Sequence, residues 1–170
     1  MSAPPGRREK GGGEAQALGR SRCGFTTKVI AVACDEDGAV ALDVDEGQRN
    51  DAPLARAVLI EARDAVGVVR EVLGDKGFDS DAVRDVVLDD LDALPVIPNR
   101  SNRKEPWPWD DEMREIYKQR NRVERAFAKA MQFRRFATRY EKLKDVYLGV
   151  VRLVFGFIHV RKLAQSVNTP

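Results

Sequence analysis

Two acidic side chains stand where a carboxylate can do chemistry. Asp75 follows the short apolar run Val68–Leu73 and sits in the turn Gly74-Asp75-Lys76-Gly77. Carboxylates at strand ends in open α/β sheets face the crevice where ligands bind. A turn Asp also has a local use, accepting a nearby backbone N–H while Gly77 supplies an unusual dihedral. Glu124 belongs to a helical stretch in which Tyr117, Arg120, Glu124 and Met131 fall within a stripe roughly 60° wide. A carboxylate on such a face needs a cation or a metal ion. Arg120, one turn away, offers the simplest partner, an i,i+4 pair of about 0.3 kcal/mol. Both readings of each acid stay open on these residues alone.

Charge is strongly segregated behind a net of only +2. Residues 1–33 hold 6 Lys/Arg against 2 Asp/Glu, residues 34–92 hold 6 against 17, and residues 93–170 hold 17 against 8. The last block carries Arg100, Arg103, Lys104, Arg120, Arg122, Arg134 and Arg135, with arginine outnumbering lysine. The planar guanidinium suits bidentate phosphate contacts, so this block has the footprint of a nucleic-acid surface. Trp107 and Trp109, in the basic loop PNRSNRKEPWPWD, suit either base stacking or packing of the loop onto the domain. His159 has no second ligand at metal spacing and reads as a core or helix-end residue.

These residues need a scaffold. With 170 residues, 43% of them apolar, the chain can build one sizeable core. Cys23 and Cys34 are too few for a disulfide scaffold and lack zinc spacing, which fits a reducing compartment. The leader shows no secretory pattern. The apolar run Val146–Val160 contains Arg152 and is too short to span a bilayer, so it is expected as a buried helix.

Residues 1–18 read as a flexible leader, 19–165 as the folded domain and 166–170 as a tail. Phe25–Cys34 and Ala39–Val44 read as a hairpin around Asp35-Glu36-Asp37-Gly38, with its acids solvated. Asp51 is placed to cap a helix over Leu54–Ala65, and Ser80 to open another. Val68–Leu73 and Leu94–Ile97 read as short strands. Two long helices follow, Asp111–Phe133 and Tyr140–Ala164, the second with an apolar stripe through Leu143, Val146, Tyr147, Val150, Leu153, Val154, Phe157 and Val160. The order predicts a mixed α/β domain.

Five blocks carry a resemblance: GRSRCGFTTK (19–28), GQRND (47–51), GDKGFDSDAV (74–83), PVIPNRSNRK (95–104) and YKQRNRVERAF (117–127). In this order they resemble the C-terminal part of DDE-type insertion-sequence transposases. The resemblance implies an RNase H-like mixed sheet flanked by helices and metal-dependent cleavage and strand transfer at transposon ends. Asp75 then matches the second catalytic Asp, and Glu124 the catalytic Glu, both ligands of Mg2+ or Mn2+. Tyr117 and Arg120 match the Y-x2-R-x3-E signature. Transposon-end DNA is the implied partner, with self-association or a full-length transposase beside it, in the cytoplasm at the nucleoid and away from membranes.

Two departures qualify that expectation. Met131 stands where the family signature has Lys. The family's first catalytic Asp lies on a strand before the GRSR block, and no Asp occurs among residues 1–18. Three carboxylates hold the two ions of such a site, so the expected domain lacks its first strand and shows little or no activity alone. A non-catalytic DNA-binding or regulatory fragment is one alternative. A separate nuclease, recruiting Asp35, Asp37, Asp43 or Asp45 beside Asp75, is another.

Overall fold

The computed structural model describes residues 17, 19–21, 24–35, 37–47 and 51–167. The expected leader, apart from Ala17, lies outside the described residues, as do Cys23 and most of the GQRND block. Strands β1 (Gly19–Ser21), β2 (Gly24–Val32) and β3 (Ala41–Glu46) form an antiparallel sheet with β2 in the middle. Strands β4 (Glu71–Leu73) and β5 (Leu94–Val96) form a separate two-stranded parallel sheet. Among the described residues six α-helices accompany them: α1 (Asp51–Val66), α2 (Asp81–Asp85), α3 (Asp111–Tyr117), α4 (Asn121–Ala130), α5 (Arg134–Ala137) and α6 (Lys144–Val167). The domain is therefore mixed α/β, as expected, with its strands in two small sheets.

The hairpin forms where its residues predict it. Asp35 accepts the Asp37 N–H at 2.8 Å, and Val40 N–H donates to Val32 O at 2.8 Å, an Asx turn closing a β-branched ladder. Alternation along the strands buries both faces. Ile30 and Ala41 meet Val58 and Ala62 of α1, while Leu42 and Val44 meet Tyr147, Val151, Val154 and Phe155 of α6. A second core joins Ala55 and Leu59 of α1 to Val83 of α2 and to Val86 and Val87 just after it. Ser80 caps α2 through the Val83 N–H, and the helix runs on into a π turn, Val86–Asp90. Gly67 ends α1 with φ +82°, its N–H returning to Arg63 O, the conformation that favours glycine after a helix.

Several expectations need correction. The helix expected over Asp111–Phe133 is three pieces, because a 3-10 turn at Lys118–Arg120 separates α3 from α4, and α4 stops at Ala130. Stopping there lets Phe133 and Phe136 turn onto α6, with Phe136 edge-on to Phe155 at 5.8 Å. Helix α6 starts at Lys144 rather than Tyr140 and reaches Val167, two residues into the expected tail. Of its expected apolar stripe, Leu143, Val146, Leu153, Phe157 and Val160 are exposed; the buried face is Tyr147, Val151, Val154, Phe155 and Ile158. So α6 is apolar on two faces and buried on one. His159 is exposed beside Gly38. The hairpin acids are not simply solvated: Asp37 is buried and ion-paired with Lys129 (2.6 Å) and Lys162.

The most deeply buried charges form one cluster. Asp79 accepts from Arg84 at 3.0 Å and from Arg103 at 2.9 Å, and its other oxygen accepts the Arg100 backbone N–H at 2.6 Å. Arg84 also donates to Ile97 O at 2.7 Å and lies 5.1 Å from the centre of the Trp107 ring. Burial pushes the Asp79 carboxyl up, but the Arg100 N–H and the two guanidinium groups outweigh it and hold it below the usual carboxylate range. Removing one partner of a buried pair strands the other charge. Asp79→Ala is therefore expected to cost about 3 kcal/mol or more in urea unfolding. Because the Asp79 and Asp37 carboxyls are both depressed in the fold, their stabilisation is complete above the unfolded carboxyl pKa near ~4 and lost as pH falls below it. Acid titration of unfolding by circular dichroism should show that loss, diminished in Asp37→Asn.

Candidate active site

Asp75 is delivered by the end of β4. Gly74 N–H donates to Val96 O at 3.3 Å, prolonging the β4–β5 pairing, and a Cβ on Gly74 would stand 3.3 Å from Ile97 Cγ1. A side chain there would make Ile97 give by a few tenths of an ångström, so glycine eases the close approach. Asp75 then caps the 3-10 turn Lys76–Phe78, its Oδ1 accepting the Gly77 N–H at 2.7 Å. The local role is thus real, and it works through the Gly77 N–H; positive φ among the described residues occurs at Ala17, Gly67 and Asp92. The second carboxylate oxygen is not used by that bond, and the side chain is exposed.

Glu124 lies in the first turn of α4, where its charge also complements the helix N-terminus. Its Oε1 accepts from Arg120 Nη2 at 2.6 Å across an exposed i,i+4 pair. The 3-10 turn keeps Tyr117, Arg120 and Glu124 together, with the Arg120 guanidinium 5.6 Å from the centre of the Tyr117 ring. Met131 drops out of this stripe, since it stands beyond the end of α4 and is exposed.

The two acids open onto one cleft. A cavity of about 810 Å³ between β2 and β4 is lined by Asp75, Arg120, Arg122 and Glu124 together with apolar side chains of β2, β4 and α1. Tyr117 links them electrostatically. Burial raises its phenol, Arg120 opposes this, and the carboxylates of Asp75 and Glu124 raise it further. Two acids on separate elements thus act on one hydroxyl group. Among the described residues, no three of His, Cys, Asp and Glu gather in a group that could hold a metal ion.

The basic residues divide into two sets. Arg100 donates to Lys76 O at 2.7 Å and to Gly77 O, and Arg103 pairs with Asp79 and Asp81. Both therefore bind the loop 98–110 to the turn that carries Asp75. Lys104, Arg122, Arg134 and Arg135 remain exposed, Arg134 against Tyr140 and Arg135 3.8 Å from Glu141. Trp107 is held by a pair of hydrogen bonds to Asn99 and by Arg84, and Trp109 packs edge-on to Tyr117 at 5.4 Å. Both tryptophans pack the loop. The positioning roles of Asp79, Arg84 and Arg100 escaped the sequence reading; the acid-rich GDKGFDSDAV facing the basic PNRSNRK was the available signal.

Residues 5–155 match the family described as Transposase DDE domain. The chain belongs to that family. It is also 29% identical over 140 residues to a Brucella ovis protein named "Putative transposase for insertion sequence element IS6501", covering 81% of this chain and 100% of that protein. No solved structure gives a significant match. Members of this family act on DNA and generally use divalent metal ions, and among the described residues of this member no helix is long and apolar enough to cross a membrane. The convergence at Tyr117 is testable without activity. Its ring resonances should titrate above the usual tyrosine pKa, and Asp75→Asn and Glu124→Gln should each move that titration down. An unmoved titration in both variants would separate the acids from the phenol.

Proposed function

We propose that this chain is an RNase H-like transposase domain, residues 19–165, that binds insertion-sequence end DNA and has weak or no strand-cleaving activity by itself. The observation that carries this is the shared cleft: Asp75 and Glu124 open onto the same cavity, with Arg120 between them and the phosphate such a site would handle. Two exposed carboxylates are hard oxygen donors, and they fit one Mg2+ or Mn2+ ion that keeps most of its water. They do not fit an ion pair. When bound, such an ion supplies positive charge and Lewis acidity to a phosphodiester.

The chain's own residues have separable tasks. Glu124 is held by an exposed ion pair worth about 0.5 kcal/mol, so Arg120 can leave it for a DNA phosphate at little cost. Its fork then grips the phosphate in two places. Tyr117 keeps its proton, since burial and the carboxylates raise its pKa, and donates to a phosphate oxygen. Arg122, Lys104, Arg134 and Arg135 extend the contact along the duplex. The DNA-bound form is a homo-oligomer or a complex with full-length transposase, in the cytoplasm at the nucleoid.

A non-catalytic DNA-binding role is favoured by one observation, the lack of a third acidic ligand among the described residues. The separate-nuclease reading has no such support: Asp37 pairs with Lys129 and Lys162, and Asp43 with Lys144. Binding and cleavage of labelled end DNA divide the readings. Binding should weaken steeply with salt, its log–log slope falling by roughly 0.9 for each phosphate contact. Arg120→Ala should weaken it about tenfold with the circular dichroism unchanged. Cleavage with magnesium should not exceed that of Asp75→Ala. A salt slope near zero excludes DNA binding, and robust cleavage lost in Asp75→Ala would show a complete site.

A further inference from the structure

Helix α6 keeps an apolar face that its own domain does not use. Val146, Leu153, Val160 and Val167 recur every seven residues, and each is between 51% and 82% exposed. Two further rows run beside this one at the same interval. Gly149, Gly156 and Leu163 lie on one side, and Val150, Phe157 and Ala164 on the other. None of these positions is charged or polar, along a helix of 24 residues. The face buried in the domain, Tyr147, Val151, Val154, Phe155 and Ile158, is turned away from them by roughly 140°.

A seven-residue repeat averages 3.5 residues per turn, the period that holds one stripe of a helix against a second helix supercoiled around it. A flat protein surface asks for no such repeat. We infer that this face is a parallel two-stranded seam with α6 of a second copy of the chain. Val146, Leu153, Phe157, Val160, Leu163 and Val167 are each at least half exposed. They present roughly 600 Å² of apolar surface, at about 100 Å² for each side chain. Two copies would then cover about 1,200 Å², the size at which specific interfaces begin. The inference gives a face to the homo-oligomer proposed above and rests on that part of the reading alone.

The sizes of the side chains select both the partner and its direction. With Val146, Leu153, Val160 and Val167 on the axis, a parallel copy brings each flanking row against the other. Val150 then meets Gly149 of the second copy, Phe157 meets Gly156, and Ala164 meets Leu163. Each time a larger side chain faces a smaller one. A Cβ added to Gly149 or Gly156 would meet nothing within 4 Å, so these hollows open outward. Valine on the axis, being β-branched, favours two strands. An antiparallel copy would set Phe157 against Val150 and Gly149 against Gly156, crowding one side of the seam and emptying the other. It would also bring Arg152 of both copies together. In the parallel seam Arg152 stays beside its own Glu61, 3.8 Å away.

Sedimentation of the full 170-residue chain without DNA should show a reversible dimer. Leu153→Glu and Val160→Glu change exposed sites, so each should sediment as a monomer with the circular dichroism unchanged. Gly156→Leu fills the hollow opposite Phe157 and should weaken association about tenfold or more. With Cys23 and Cys34 replaced by Ser, a chain carrying Val146→Cys should oxidise to a disulfide-linked dimer by itself, and so should one carrying Val160→Cys. Crosslinking only when those two chains are mixed would mean antiparallel helices and overturn the seam. A monomer at every concentration overturns it as well, as does a dimer that survives Leu153→Glu. A chain that dimerises in this way and fails to bind end DNA upholds the seam and overturns only the DNA reading.

Discussion

The site depends on a carboxylate that takes no part in it. Asp79 is buried without a hydrogen-bonding water-facing edge, and two arginines and a backbone N–H satisfy it. Through them it ties three pieces of chain: the turn after β4, helix α2 and the loop 98–110. An isolated buried carboxylate would cost several kcal/mol, so the three pieces cannot separate without exposing that penalty. Asp75 sits four residues away on the same turn, whose carbonyls at Lys76 and Gly77 are gripped by Arg100. The buried cluster thus fixes where the exposed acid stands.

Elements whose signals are local were legible in the sequence. The hairpin, the Ser80 cap, the two short strands and the order of elements follow from alternation, caps and turn residues within a few positions. Tertiary contacts set the remainder. The stop at Ala130 serves the packing of Phe133 and Phe136 against α6, which no window on the helix itself contains. Helix α6 misled for a related reason: with apolar residues on two faces, periodicity cannot say which one is buried. At the site, the pairing of Tyr117, Arg120 and Glu124 was legible because it is helical; the engagement of Arg100 and Arg103 was not, because it joins residues over 20 positions apart.

The charge segregation has a similar split meaning. Part of it is neutralised within the fold, as Asp37 meets Lys129 and Lys162, Asp43 meets Lys144, and Glu61 meets Arg152. The acidic hairpin and α1 are thereby stitched to the basic C-terminal helices. A density of arginine in sequence therefore overstates the positive surface in space. The basic residues that line the cleft are a smaller set, Lys28, Arg70, Arg120 and Arg122, with Arg120 itself paired to Glu124.

That smaller set changes what specificity the surface can carry. Phosphate contacts fix register and orientation but read no bases, and the two tryptophans that could have stacked on bases are engaged by Asn99, Arg84 and Tyr117. A cleft with a few guanidinium groups and two acids is thus suited to holding a phosphodiester in place. The side chains at its mouth with a shape suited to a base edge are the exposed Gln119 and Arg122.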